Sequence, residues 1–211
     1  MLCIEVLVEE PSAEAALKSL LPKLLGSRAR HKIINFGSKS KLLKVLGQRL
    51  AAYAARINKG ENLRIIVLVD RDQDDCQDLK NKLEVIAVQA GLTTKSNPDA
   101  QGQFMVVNRI VIEELESWFI GDIQALRRSF SSLPSISPTS SPFRNPDNGG
   151  SWEALHRFLK KHGIYKSSYP KIEAARKIAS QMNINENRSP SFQCFKAGIE
   201  ALLSQENENL N

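Results

Sequence analysis

Residues 64–70 read RIIVLVD, an almost unbroken apolar run that stops on a carboxylate. A half-exposed strand alternates polar with apolar residues; a strand without alternation has to be covered on both faces. Parallel sheets with helices on either side give that cover. This one segment therefore points to an α/β fold more firmly than any other part of the chain. The rest of the first half agrees. LCIEVLV (2–8), HKIINF (31–36) and FMVVNRIVI (104–112) read as further strands. Ser12 is placed to cap a helix carrying Leu17, Leu20, Leu21, Leu24 and Leu25 on one stripe, with Pro22 expected to bend or shorten it. Residues 39–57 and 76–90 have helical spacing, and EELESWFIGD (113–122) looks like the start of another helix. Strands alternating with helices predict a mostly parallel central sheet with right-handed crossovers.

Two of these strands end on concentrated negative charge. Glu9 and Glu10 follow the first; Asp70, Asp72, Asp74 and Asp75 follow the third. In parallel sheets, ligands gather beyond the carboxyl ends of the strands. If the two strands are neighbours, the clusters meet at one rim. Carboxylates crowded together raise each other's pKa, and a divalent cation relieves that cost. Mg²⁺ prefers oxygen ligands, polarises a phosphoryl oxygen and lowers the pKa of a bound water.

Other readings compete. Asp70, Asp72 and Asp74 open like an EF-hand loop, but Asp75 stands where glycine is required and Asn81 where the closing glutamate belongs. A phosphate-accepting aspartate of the receiver type leaves the Asp-x-Asp pair unexplained. Simple capping of the next helix accounts for one or two aspartates and not for Glu9.

Charge adds a partner class. No acidic residue occurs between Glu14 and Glu61, a stretch that carries eleven lysines and arginines, Lys39, Lys41 and Lys44 among them. A field of one sign attracts polyanions such as nucleic acid. The three cysteines, Cys3, Cys76 and Cys194, form no CxxC pair, which argues against a disulfide framework or a zinc site and for a reducing cytoplasm. No secretory signal is read at the start, and no apolar run approaches the roughly 20 residues of a membrane span. His31, His156 and His162 share no ligand spacing and read as surface or partly buried residues; Trp118 and Trp152 read as packing residues.

Further along, SFSSLPSISPTSSPFRNPDNGG (129–150) has no hydrophobic period and reads as a linker or mobile loop. It divides residues 1–128 from a small helical region, 151–205. That region opens with Ser151 as a cap and continues with helices over 170–182 and 191–204. The tail QENENLN is expected to be disordered.

LVEEPS with its leucine-rich helix, and VLVDRD, resemble the first two motifs of Toprim-type domains, with Glu10 where glycine is usual. IEELESWFIGD and the distal YPKIEAARKIA, with SPSFQCF behind it, are similar to segments of a Toprim-like bacterial domain family of unknown function, DUF4276. The resemblance covers nearly the whole chain and implies a Toprim-like fold related to overcoming-lysogenization-defect (OLD) nucleases, with Mg²⁺ or Mn²⁺ at the sheet's rim. It implies Glu9, Asp70, Asp72 and Glu116 as metal ligands, with Glu10, Asp74, Glu113 and Asp122 as further acidic candidates. Glu9 and Lys171 become the candidate catalytic residues, and Lys39, Lys41, Lys44, Arg71 and Tyr169 candidate contacts to a nucleic-acid backbone. The chain has three tyrosines and lacks the bulk of a strand-passing enzyme, so hydrolysis is favoured over rejoining. The expected function is a metal-dependent nuclease, with an ATPase partner plausible. The alternative is a non-catalytic accessory module of a bacterial defence or mobile-element system.

Overall fold

The computed structural model describes residues 1–208, with side chains through 206. Four strands, β1 (Cys3–Val8), β2 (Arg30–Asn35), β3 (Leu63–Asp70) and β4 (Val106–Val111), form one parallel sheet in the order β2-β1-β3-β4. The chain steps outward from β1 to β2, then crosses back over β1 to reach β3. The strand order therefore reverses between β1 and β3, and such a switch point opens a crevice at the carboxyl ends of the strands.

Helices cover both faces. Alternate residues of the central strands divide between them: Ile4, Val6, Val8, Ile66 and Leu68 enter one core, Leu7, Ile65, Val67 and Val69 the other. α2 (Lys39–Asn58) and α3 (Cys76–Gln89) close the second core through Leu42, Leu46, Leu50, Leu79 and Leu83. On the opposite face lie α1 (Pro11–Leu25), the short α4 (Glu116–Ile120) and α5 (Ile123–Ser129), then α6 (Ser151–Lys161), α7 (Lys171–Gln181) and α8 (Pro190–Glu208). α1 runs through Pro22 to Leu25 without being cut short, and packs against the small residues Ala174, Ala175 and Ala179 of α7. Lys23 reaches the C-terminal end of α7, donating to the carbonyls of Ser180 and Met182 at 2.7 and 2.8 Å. The helical C-terminal region thus builds one face of the sheet.

Several boundaries differ from the sequence expectation. The cap of α1 is Glu10; Pro11 takes the first helical position, which has no use for an N–H, and Ser12 is buried. Gly150, not Ser151, precedes α6. The segment after Glu113 divides into two short helices because Gly121 and the capping residue Asp122 fall between them. Residues 130–150 form no helix or strand, but Phe130, Leu133, Ile136 and Phe143 are buried, so the segment is tied to the core. α8 continues through residues 205–208, where disorder was expected; residues 209–211 lie outside the described residues.

Trp118 is fully buried between Phe192 and Phe195, with ring centroids at 5.2 and 5.0 Å, and its indole N–H donates to Ser191 Oγ at 3.0 Å. Gly121 follows on this turn, and a Cβ there would stand 2.7 Å from the backbone nitrogen of Ser189. Gly121→Ala is therefore expected to destabilise the protein by about 2 kcal/mol, the usual cost of forcing an extra carbon into a packed site. Urea unfolding checks this: an unchanged midpoint contradicts the close packing of this turn against the approach to α8.

Candidate functional site

Three strands deliver their acids to the same edge. β1 ends into Glu9 and Glu10, β3 into Asp70 and Asp72, and β4 into Glu113, Glu114 and Glu116. Parallel pairing puts all of these at one rim, and the switch point sets Glu9 and Asp70 side by side. The Glu9 carboxylate, 4 % exposed, accepts a hydrogen bond from the Asp70 backbone N–H. Glu10, at φ −122° and ψ 151°, is extended backbone that any residue adopts, so the position has no need of the usual glycine. The two loops beyond β3 and β4 are joined by Arg71 N–H to Val111 O at 2.9 Å and Asp72 N–H to Glu113 O at 3.2 Å. Asp72 and Glu113 both have positive φ, at 50° and 67°.

Burial dominates the electrostatics. It pushes Glu9 up to about 7 against the pull of the Asp70 N–H and of Lys39. It pushes Glu116 up to about 7 as well, with Lys171 opposing and Glu114 adding to the rise. Asp70 is held well above the usual carboxylate range by burial first, then by the charges of Glu9, Glu116, Glu10 and Asp72. The acids from all three strands therefore feel one another.

Cations of the chain offset part of this. Lys39 Nζ, from the first turn of α2, pairs with Asp72 at 2.5 Å and Asp74 at 2.9 Å and donates to Arg71 O at 3.2 Å. Burial works against the Lys39 charge, but these carboxylates and Glu9 outweigh it and raise its pKa. Arg71 pairs with Glu113. Lys171 Nζ lies 3.5 Å from Glu114 and 5.5 Å from the centre of the Trp152 ring. At the base of the site Glu116 Oε1 makes no hydrogen bond of regular geometry, and the Tyr169 hydroxyl stands beside the Glu116 carboxylate. An open cleft of about 550 Å³ lies over the rim, lined by Glu9, Glu10, Ser38, Lys39, Ser40, Asp72 and Asp74 among others.

The model of a domain of unknown function, DUF4276, matches residues 8–200. The chain belongs to the DUF4276 family. No curated protein matches it. A solved structure of the C-terminal region of the OLD protein from Xanthomonas campestris pv. campestris is similar at 16 % identity and a TM-score of 0.45, with 97 % of each chain covered. A likeness that distant carries no argument about fold or activity.

In this DUF4276 chain the expected residues do not all converge. Glu9, Glu10, Asp70, Asp72 and Glu116 share the rim, and Asp74 joins through Lys39. Asp122 does not: its carboxylate accepts from the backbone N–H of Ala125 and of Asn183, so it caps α5 and anchors the turn after α7. Asp75 caps α3, accepting from Gln77 and Asp78 N–H. Lys39 and Arg71, expected as backbone contacts, are engaged with the acids, while Lys41 and Lys44 lie on the exposed face of α2. Glu114 was missed in the sequence. It receives Lys171 and the Trp152 N–H at 3.3 Å, and only the fold of residues 151–171 onto β4's end could reveal that. The histidines take no part at the rim: His31 is exposed, and His156 faces the Tyr165 carbonyl.

The donor set suits a hard cation: all carboxylate oxygens, one of them buried and unpartnered. No three His, Cys, Asp or Glu side chains among the described residues are gathered closely enough to hold an ion; Glu9 accepts a backbone N–H and Asp72 pairs with Lys39.

The raised carboxyls make stability depend on pH. A carboxyl whose folded pKa exceeds its unfolded value contributes stability that is full below the unfolded pKa and lost as pH rises through the folded one. For Glu9 and Glu116 that window runs from the ordinary value of 4.5 to about 7. At about 1.4 kcal/mol per pKa unit, each contributes up to roughly 3 kcal/mol. The metal-free protein is expected to lose stability between about pH 5 and pH 8, and Glu116→Gln, of nearly equal shape, to flatten the decline. Unfolding curves across that range decide it; an identical slope in the variant contradicts the burial of an ionisable Glu116. Glu14, Glu84 and Glu200, held below the ordinary range, act the opposite way and only in more acid solution.

Proposed function

We propose that this DUF4276 chain is a metal-dependent phosphodiesterase of Toprim type, a nuclease acting on the nucleic-acid backbone. The observation that carries the reading is the hydrogen bond from the Asp70 N–H to Glu9, with the unpartnered Glu116 oxygen behind it. It brings acids from three strand ends to one crevice, in a chain whose exposed α2 face is basic. Glu9, Asp70, Asp72 and Glu116 would hold Mg²⁺ or Mn²⁺, which supplies a Lewis acid and an activated water when bound. Lys39 and Lys171 stand among the acids and carry positive charge to where a phosphate would sit. Arg71 holds the Glu113 loop against the end of β3.

Calorimetric titration with Mn²⁺, followed by incubation with single- and double-stranded DNA and RNA, tests the proposal. Asp70→Ala is expected to abolish cleavage while retaining the fold, since it also relieves a buried charge. Cleavage that survives in this variant overturns the assignment. Lys39→Met frees Asp72 and Asp74 and is expected to tighten Mn²⁺ binding about fivefold, the worth of an ion pair near 1 kcal/mol. Unchanged affinity in that titration removes Lys39 from competition with the ion.

One observation favours a second reading. The rim is partly neutralised by the chain's own Lys39, Arg71 and Lys171, so it holds together without an ion. A non-catalytic accessory module of a bacterial defence or mobile-element system has that property. Neither heat nor cleavage with any of the four substrates supports it over the nuclease. An ATPase partner is proposed under either reading on the Toprim resemblance alone.

A further inference from the structure

A second cleft, of about 610 Å³, opens between the irregular segment that ends at Gly150 and the face of α6. Arg144, Asn145, Asn148, Glu153 and Arg157 line it, with Gly149 and Gly150 at one end. Most arginines near the core are engaged: Arg28 with Glu200, Arg56 with Glu5 and Glu61, Arg71 with Glu113. These two are not. Arg144 is oriented by its Nε donating to the Thr139 carbonyl at 3.1 Å, and among the described residues its terminal nitrogens make no hydrogen bond. Arg157 is exposed and has neither hydrogen bond nor ion pair among the described residues, although Glu153 lies one turn away on α6.

The chemistry of the lining selects a ligand. Two open guanidinium forks suit phosphate oxygens, which they bind in pairs. Asn145 and Asn148 add neutral donors. No aromatic ring lines the cleft, so it has no platform for stacking bases and no evident means of reading them.

Its position links it to the acid rim. A Cβ on Gly149 would stand 3.1 Å from Glu113 Oε2, and the Gly150 N–H donates to the same oxygen at 3.4 Å. Glu113 in turn pairs with Arg71 and carries the backbone bond to Asp72. Glu113 thus connects a glycine end of this cleft with Asp72, which lines the cleft over the rim. We propose that the Arg144–Arg157 cleft binds, without sequence preference, the backbone phosphates of the nucleic-acid strand that flank the one at the acid rim. This rests on the reading of the rim as a site for nucleic acid. Glu153, the one acid in the lining, limits the affinity.

Fluorescence anisotropy with labelled single-stranded DNA and RNA of about 20 nucleotides, in EDTA, reads binding apart from cleavage. The Arg144→Gln/Arg157→Gln double variant is expected to bind about tenfold more weakly, and to reduce the slope of log affinity against log salt by about one to two. Glu153→Gln is expected to bind more tightly, and Asp70→Ala at least as well as wild type. Both arginines are exposed, so thermal melting should match wild type and separate loss of binding from loss of fold. Wild-type binding with an unaltered double variant overturns this cleft and leaves the rim's reading standing. No binding of either oligonucleotide by wild type also overturns this cleft, while cleavage in Mn²⁺ decides the rim's reading separately.

Discussion

A buried carboxylate accepting one backbone N–H, Glu9 to Asp70, is the constraint on which the rest of the rim depends. It sits in the crevice that the reversal of strand order opens between β1 and β3, and it places there a charge that burial disfavours. Placing Asp70 beside Glu9, with Glu116 behind both, compounds that cost. The chain answers it in two ways. Protonation is made easy, as the raised carboxyls show. Cations are also brought in from distant elements: Lys39 from the start of α2, Lys171 from the start of α7, and Arg71 from the loop between the aspartates. Lys39 and Lys171 arrive because a helix begins at the rim, so the architecture of the two helical layers is tied to the charge balance of the edge.

Much of this was legible in the sequence for a simple reason. The unbroken apolar run of β3 admits few environments, and strand ends in a parallel sheet face one way. Once RIIVLV is a central strand, Asp70 and Asp72 must lie at the rim, and LCIEVLV followed by Glu9 must be its neighbour or near it. Helix spacing gave α2, α3, α7 and α8 within a few residues for the same kind of reason: their apolar stripes face one core each. Caps were less legible. Ser12 and Ser151 are good capping residues by type, but Pro11 fits the first helical position so well that Glu10 becomes the cap, and Gly150 enters α6 with a left-handed turn.

What the sequence concealed was pairing between distant residues. The acid-free stretch from Lys18 to Lys59 looked like a single basic surface. In the fold, Lys18 meets Glu14, Arg28 meets Glu200, Lys39 meets Asp72 and Asp74, and Arg56 meets Glu5 and Glu61. Lys23 ends on the carbonyls at the C-terminal end of α7, and Arg30 and Lys32 lie on the exposed part of the edge strand β2, where charge discourages pairing with another chain. Only part of the field is left for a partner. Composition counts charges without seeing which are spent, so a one-sign run overstates the open surface. Residues 129–150 misled in the opposite sense. Their serines and prolines hide four core side chains, because an irregular segment buries residues with no period to betray it.

Nucleic-acid binding therefore has to be argued from the cations that the fold leaves open rather than from their number in the chain. By that criterion Lys39, Arg71 and Lys171 belong to the rim's internal balance first, and become available to a phosphate only as another positive charge takes over their carboxylates. The divalent ion proposed for the rim would do that, since it would satisfy the same oxygens with more charge in less space. The same exchange would release cations toward the incoming phosphate at the moment the ion makes the site competent. Arg144 and Arg157 stand outside this exchange, in a cleft tied to the rim only through the contact of Gly150 with Glu113. A strand held by them before any ion arrives would already lie near the rim, so under the proposed reading binding and competence would be separable properties of neighbouring clefts.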